Sequence, residues 1–241
     1  MYAPGLDIEI INAIGLNSNT SRTAINFMGC YGAFIGMKVA EAFCKANPKA
    51  KVLLVCVELC SLHFQNELNR GNIISNALFS DGAAAVVIEG EAGSSHNIEL
   101  CDFYCDLVPD TNKEMAWHIG DGGFEMVLDS YVPKLIGNGI KQFTKTILSR
   151  NMLKIEDIGY FAVHPGGLNI LKACKEALFI STDKIQSSYD ILRQYGNMSS
   201  ATFIFVLEQV LMASNYKNKA NIFGCAFGPG LTMESVVVRV C

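Results

Sequence analysis

A chain of 241 residues, half of them hydrophobic and only 17% charged, can bury a large core and is too apolar to be disordered. Its net charge of −4, from scattered charges, and its pI near 5.6 leave no basic footprint for nucleic acid. No apolar run reaches the ~18 residues of a membrane span, and the start MYAPGLDIEII lacks the charged head and apolar core of a secretion signal, so a cytoplasmic protein without a membrane span is expected.

In NFMGCYGAFIGMKVAEAF (26–43), apolar residues at helical spacing (Phe34, Met37, Val39, Ala40, Phe43) predict a helix over 32–46, broken by NPK at 47–49. KVLLVCVE (51–58) reads as a buried strand and 71–78 as helical. FSDGAAAVVIEG is a turn followed by a second buried strand at 83–89. Residues 96–106 read as another strand and 123–150 as a long helical region interrupted near Pro133. The second half repeats the scheme: strand 160–164, turn PGG, helix 167–178, helix 198–213, strand 221–227, turn GPG and a last strand from Leu231. Alternating elements imply a layered α/β protein, and with no linker rich in Pro, Gly or Ser the halves are expected to share one core.

The nine cysteines lie mostly in apolar patterns, which points to reduced, core-filling thiols. Cys56/Cys60 and Cys101/Cys105 each have three residues between them, and neither pair joins a second pair at zinc spacing, so no metal site is expected. Cys30 differs in its place between two glycines at the head of a helix. There, unpaired N–H groups stabilise a thiolate, and Gly29 and Gly32 allow a sharp turn. This local pattern leaves both readings open, a nucleophile or a buried structural thiol. A nucleophilic cysteine needs a partner from elsewhere in the fold. Of His63, His96, His118 and His164, only His164, ending YFAVH ahead of PGG, sits at a strand's C-terminal edge, where α/β proteins place ligands. His96 reads as a solvated loop residue. Asn197, in QYGNMSSATFIF, starts an apolar helix and reads equally as an ordinary N-cap. FGPGL reads as a rigid turn between strands.

In this order, GC before a helix, VHPGG after a strand, YGNMSSA at a helix start and FGPGL between the last strands resemble the type III polyketide synthases, the chalcone and stilbene synthase group of the thiolase superfamily. VLLVCVELCSLHF, NALFSDGAAAVVI and VPKLI extend the resemblance from about Pro4 to the C-terminus. It implies a thiolase-like layered αβαβα fold of two pseudo-repeated halves. Residues 1–106 would be the remainder of the N-terminal half with the cysteine, and 107–241 the C-terminal half with the histidine and asparagine. It also implies an acyltransferase that condenses malonyl-CoA with loss of carbon dioxide onto an acyl-CoA starter held on Cys30. His164 would pair with the sulfur as imidazolium to thiolate, and His164 and Asn197 would donate to the developing oxyanion. Phe79 matches the gatekeeper between the coenzyme A tunnel and the cavity; Pro229, Gly230 and Ser199 match cavity positions. No cofactor is implied beyond coenzyme A thioesters as substrates, and a homodimer is, with Ala3 at the interface position where plant enzymes carry a methionine.

The chain departs from the plant enzymes at Cys60, His63, Ser75, Trp117 and Met126, around the starter pocket. Tryptophan in place of glycine at 117 takes volume away, and MAWHIGDGGFEM is closer to the microbial branch. Only 29 residues precede Cys30, where relatives have a substantial βα region. The N-terminal half is therefore expected to be incomplete, with an exposed sheet edge and apolar surface, poor solubility and weak or no activity. The rival readings are a β-ketoacyl-acyl-carrier-protein synthase III, against which HPGG and GNMSSA speak, and an inactive binding or dimerisation module.

Overall fold

The computed structural model describes residues 4–91, 98–120, 123–128, 131–213 and 220–241; Ala3 and His96 lie outside them. In chain order the elements are α1 (Leu6–Ile14), α2 (Gly32–Ala46), β1 (Lys51–Glu58), α3 (Arg70–Leu78), β2 (Gly82–Glu89), β3 (Ile98–Leu107), β4 (Met115–Gly120), β5 (Gly123–Leu128) and α4 (Val132–Arg150), followed by β6 (Ile158–Val163), α5 (Leu168–Leu178), α6 (Thr182–Tyr195), α7 (Ser200–Ala213), β7 (Ala220–Gly228) and β8 (Thr232–Val240).

The continuously apolar strands of the second half make a four-stranded sheet in the order β3-β8-β7-β6, with β6 and β7 parallel and the other pairs antiparallel. Both of its faces are covered, so β7 and β8 are buried almost throughout and show no polar alternation. Phe161, Val163, Phe223 and Val237 face α4 and α5, where Ile136, Ile140, Phe143 and Leu171 meet them. The opposite face, through Ala162, Ile222, Ala226, Val236 and Val238, packs on Phe34 and Met37 of α2 and on Phe203, Val206 and Val210 of α7. A Cβ on Gly224 would lie 2.7 Å from the Phe203 ring, so only glycine lets α7 settle this close to β7. Phe34 and Phe203 meet with their rings tilted by 43° and centroids 4.2 Å apart, and burying each is worth roughly 1.5–3 kcal/mol.

Beyond α2 and α7 lies a second sheet, the antiparallel pair β1–β2, whose inner face adds Leu54, Cys56, Ala84 and Ile88 to the same core. The layers therefore run helices, sheet, helices, sheet. The two halves repeat a theme: α2 leads to β1 with antiparallel β2, as α7 leads to β7 with antiparallel β8. Among the described residues neither β1 nor β2 has a further strand partner, and the outer face of the pair exposes Leu53, Val57 and Val87. No helix among the described residues is long and apolar enough to cross a membrane.

One part of the sequence reading needs correction. Residues 123–128 are strand, not helix: they pair with 115–120 as a hairpin, and Pro133 does not interrupt a helix but occupies its first turn, where its missing N–H is no loss. The helices α1 and α6 were not expected; α6 buries only Ile185, Ser188 and Ile191, too thin a stripe to stand out. Strand β3, assigned with residues 1–106 to the first half, hydrogen-bonds along β8 in the second half's sheet.

Candidate active site

The chain rises into α2 through a single 3-10 turn, Gly29–Tyr31, which carries Cys30. Gly29 has φ +64°, and a Cβ there would meet Pro229 at 2.9 Å and the Trp117 ring at 3.2 Å; glycine serves both the backbone conformation and the close packing. Cys30 is 5% exposed. Its sulfur lies 3.9 Å from both the side-chain oxygen and the side-chain nitrogen of Asn197, 167 residues along the chain. The Ser199 N–H donates to Asn197 Oδ1 at 2.9 Å, which orients the amide so that Nδ2 is the group able to donate toward the sulfur.

Asn197 is held by its backbone as well. Its N–H donates to the Leu78 carbonyl and its carbonyl accepts from the Ser80 N–H, both at 2.9 Å, a parallel bridge that ties Asn197 to Phe79. It does not act as the N-cap that its local pattern allows. Ser199, two residues on, is buried in the left-handed region at φ +50°, a conformation that costs a non-glycine residue free energy and is held by the surrounding packing.

His164 follows β6 directly. Its N–H donates to the Cys225 carbonyl at 2.8 Å, its ring is buried, and neither ring nitrogen has a hydrogen-bond partner among the described residues. The structure thus joins Cys30, Asn197, Ser199 and Phe79 directly and Trp117 and Pro229 through Gly29, whereas His164 makes no hydrogen bond to Cys30 among the described residues. Gly230, at φ +117°, completes the turn between β7 and β8, pinned where the Thr232 hydroxyl donates to the Pro229 carbonyl at 2.9 Å.

Burial decides the charge states. It pushes the Cys30 thiol from 9.0 up to about 12; hydrogen bonds from Ser199 and Asn197 oppose the rise, and the charge of Glu58 adds to it. The same burial pushes the His164 imidazole from 6.5 down to about 3. Burial thus works against the charged form of each group, the thiolate and the imidazolium that the resemblance implies.

A cavity of about 440 Å³ adjoins this cluster, with Ser199 in its wall. Cys60, His63, Ser75, Phe79, Trp117 and Met126, each singled out from the sequence, line it together. Trp117 and Met126 are cross-strand partners in the hairpin β4–β5, so one rigid pair places both side chains. Glu58 and Asp81, not foreseen as site residues, line it too. Glu58 accepts from the Ser200 hydroxyl at 2.5 Å and its N–H at 3.3 Å. Asp81 accepts from the Ser61 N–H and hydroxyl at 2.7 Å each, which holds its carboxyl below the usual range. An acid closing a buried strand, as in CVE, was the available signal for Glu58.

The arrangement of cysteine, asparagine and cavity has a counterpart in known proteins. The family model for the N-terminal domain of chalcone and stilbene synthases matches residues 1–92, and that for their C-terminal domain matches residues 99–241. The chain belongs to the chalcone and stilbene synthase family. Among its relatives are the alpha-pyrone synthesis polyketide synthase-like Pks18 of Mycobacterium tuberculosis, 34% identical over 99% of this chain and 62% of that protein, and a putative chalcone synthase of Bacillus subtilis, 32% identical over 97% and 66%. The crystal structure of PKS-I from the brown alga Ectocarpus siliculosus superposes with a TM-score of 0.93 at 30% identity, over 99% of this chain and 65% of that one. The thiolase-like layering of this family accounts for the order of layers seen here. The chain spans about two thirds of the length of these relatives, and in this family member the sheet β1–β2 has only its two strands among the described residues.

Proposed function

We propose that this chain carries the acyl-transfer and condensation centre of a type III polyketide synthase. The observation that carries the reading is the buried Cys30 at the head of α2, with the oriented Asn197 amide 3.9 Å from its sulfur and a cavity beside both. The sulfur attacks the thioester carbon of an acyl-CoA and the C–S bond to coenzyme A breaks. The thiol proton passes to the leaving thiolate, with His164 as the carrier. Malonyl-CoA then loses carbon dioxide, and the electron pair of the broken C–C bond becomes an enolate. Its oxygen is stabilised by the Asn197 N–H and a His164 N–H, and its carbon attacks the acyl group on Cys30 and releases the sulfur.

Two features support His164 and Asn197 as oxyanion donors: the His164 ring nitrogens have no hydrogen-bond partner among the described residues, and Asn197 is fixed by three hydrogen bonds with neighbouring backbone, two accepted and one donated. Phe79, tied to Asn197, would stand between the incoming thioester and the cavity; Pro229 and Gly230, which are not among the cavity's lining residues, belong to the turn that packs on Gly29. Acyl-CoA and malonyl-CoA as substrates with no further cofactor, a homodimer and a cytoplasmic setting belong to the same proposal and rest on the family. The test is intact-mass analysis after incubation with an acyl-CoA, together with carbon dioxide release from malonyl-CoA. An acyl adduct is expected on Cys30 and absent from Cys30→Ala. Asn197→Ala should keep the adduct and lose about 100-fold in carbon dioxide release; an adduct on another cysteine, or none, overturns the reading.

A further inference from the structure

Strand β6, which delivers His164, is an edge of its sheet among the described residues, with β7 on one side only. On the other side lies α6, and two of its side chains bond to the strand's backbone. Ser188 Oγ accepts from the Val163 N–H at 3.1 Å, and Lys184 Nζ donates to the Ile158 carbonyl at 2.6 Å. Ser188 is fully buried, in the middle of a stripe whose other members are Ile185 and Ile191. Its hydroxyl satisfies an N–H that the sheet edge would otherwise leave buried and unpaired. That N–H lies one residue before His164, whose own N–H points the other way, to the Cys225 carbonyl at 2.8 Å. The end of β6 is thus gripped from both sides.

The His164 ring nitrogens have no hydrogen-bond partner among the described residues, so the direction of the ring follows from the backbone it stands on and the packing around it. The same α6 that holds this backbone also leads to the second donor. It ends at Tyr195, and Gly196, at φ +72°, turns the chain straight into Asn197. One helix therefore grips the strand that presents His164 and feeds the residue that presents the Asn197 amide. Sliding α6 along β6 would change the separation of two groups that the condensation step uses together. We propose that Ser188 is a positioning residue: its bond to the Val163 N–H sets the register of α6 on β6, and with it the placement of His164 relative to Asn197. The inference rests on the acyl-transfer reading above and gives Ser188 no contact with substrate.

Ser188→Ala removes the acceptor and little volume, and carbon dioxide release from malonyl-CoA reads its effect. Its kcat should fall roughly ten- to a hundredfold with KM unchanged, because a misplacement of about 1 Å at a reacting group costs up to the larger figure. Ser188→Thr, which keeps the hydroxyl, should recover most of that loss. Ile185→Val loosens the same helix without touching a hydrogen bond, and should lower Tm while leaving kcat unchanged. A kcat of wild-type size in Ser188→Ala, or an equal loss of kcat in Ile185→Val, overturns the inference. The ring signals of protein labelled with 15N-histidine need no turnover: of the four histidines, His164 should shift in Ser188→Ala and His118 should not. If the wild-type chain neither acylates Cys30 nor releases carbon dioxide, the acyl-transfer reading fails by itself. The His164 signal then decides the positioning role, which a shift sustains and an unmoved signal overturns.

Discussion

Burial raises the pKa of the Cys30 thiol and lowers that of the His164 imidazole, so it favours the neutral form of each. Burial therefore favours a route in which Cys30 gives up its proton within a bound complex over one that starts from a preformed thiolate. Iodoacetamide separates the two cases in the free protein. Alkylation of Cys30 at pH 7 should be slower than that of the exposed Cys241, and its rate should climb about tenfold per pH unit up to pH 10, since the thiolate fraction rises that way below a pKa of about 12. Glu58→Gln removes a charge that raises this pKa, so it should speed the alkylation. A rate that levels off near neutral pH would mean that a preformed ion pair exists after all. The residue scale is also where the sequence was least decisive. The surroundings of Cys30 and Asn197 fit structural roles as well as chemical ones, and only the 167-residue contact between them distinguishes the two.

Elements with a strong period were legible and those held by tertiary context were not. The helix expected over 32–46 is α2 itself, because Phe34, Met37 and Ala40 repeat on a face that the core demands. The hairpin β4–β5 carries no such stripe: Ile119 is exposed, His118 faces solvent, and its inward residues Trp117 and Met126 serve a cavity instead of the core. Polar α6 was invisible for the same reason, although Ser181 before it and Gly196 after it mark its ends. The hairpin also shows where product size is set. Trp117→Gly removes the largest side chain from the wall, and the backbone pairing of β4 with β5 does not depend on that side chain. Products formed from malonyl-CoA should become longer or the range of starters wider, as read by mass spectrometry. An unchanged product profile would show that this wall does not limit the chain.

At the scale of the whole molecule, the interior that makes the site also sets a pH window for folding. Cys30 and Cys174 are each pushed up to about 12, and Cys225 well above 9.0, all by burial first. In the unfolded chain these thiols ionise near 9.0. Above that pH the unfolded state loses protons that the folded state keeps, so the stability they contribute, fully present below pH 9, is lost as pH rises toward 12. His164 works at the other end. Its folded value of about 3 lies below its ordinary 6.5, so its contribution is present above pH 6.5 and is lost as pH falls toward 3. Each such group is worth roughly 1.4 kcal/mol per pH unit between its two values. Urea unfolding should accordingly be hardest between pH 6.5 and 9, with a steep fall on the alkaline side. Cys174→Ala removes one titrating thiol in the helix layer behind the sheet, away from the cavity, and should make the alkaline slope shallower by one proton. A stability profile flat from pH 8 to 11 would mean that the buried thiols ionise as freely in the folded chain as in the unfolded one.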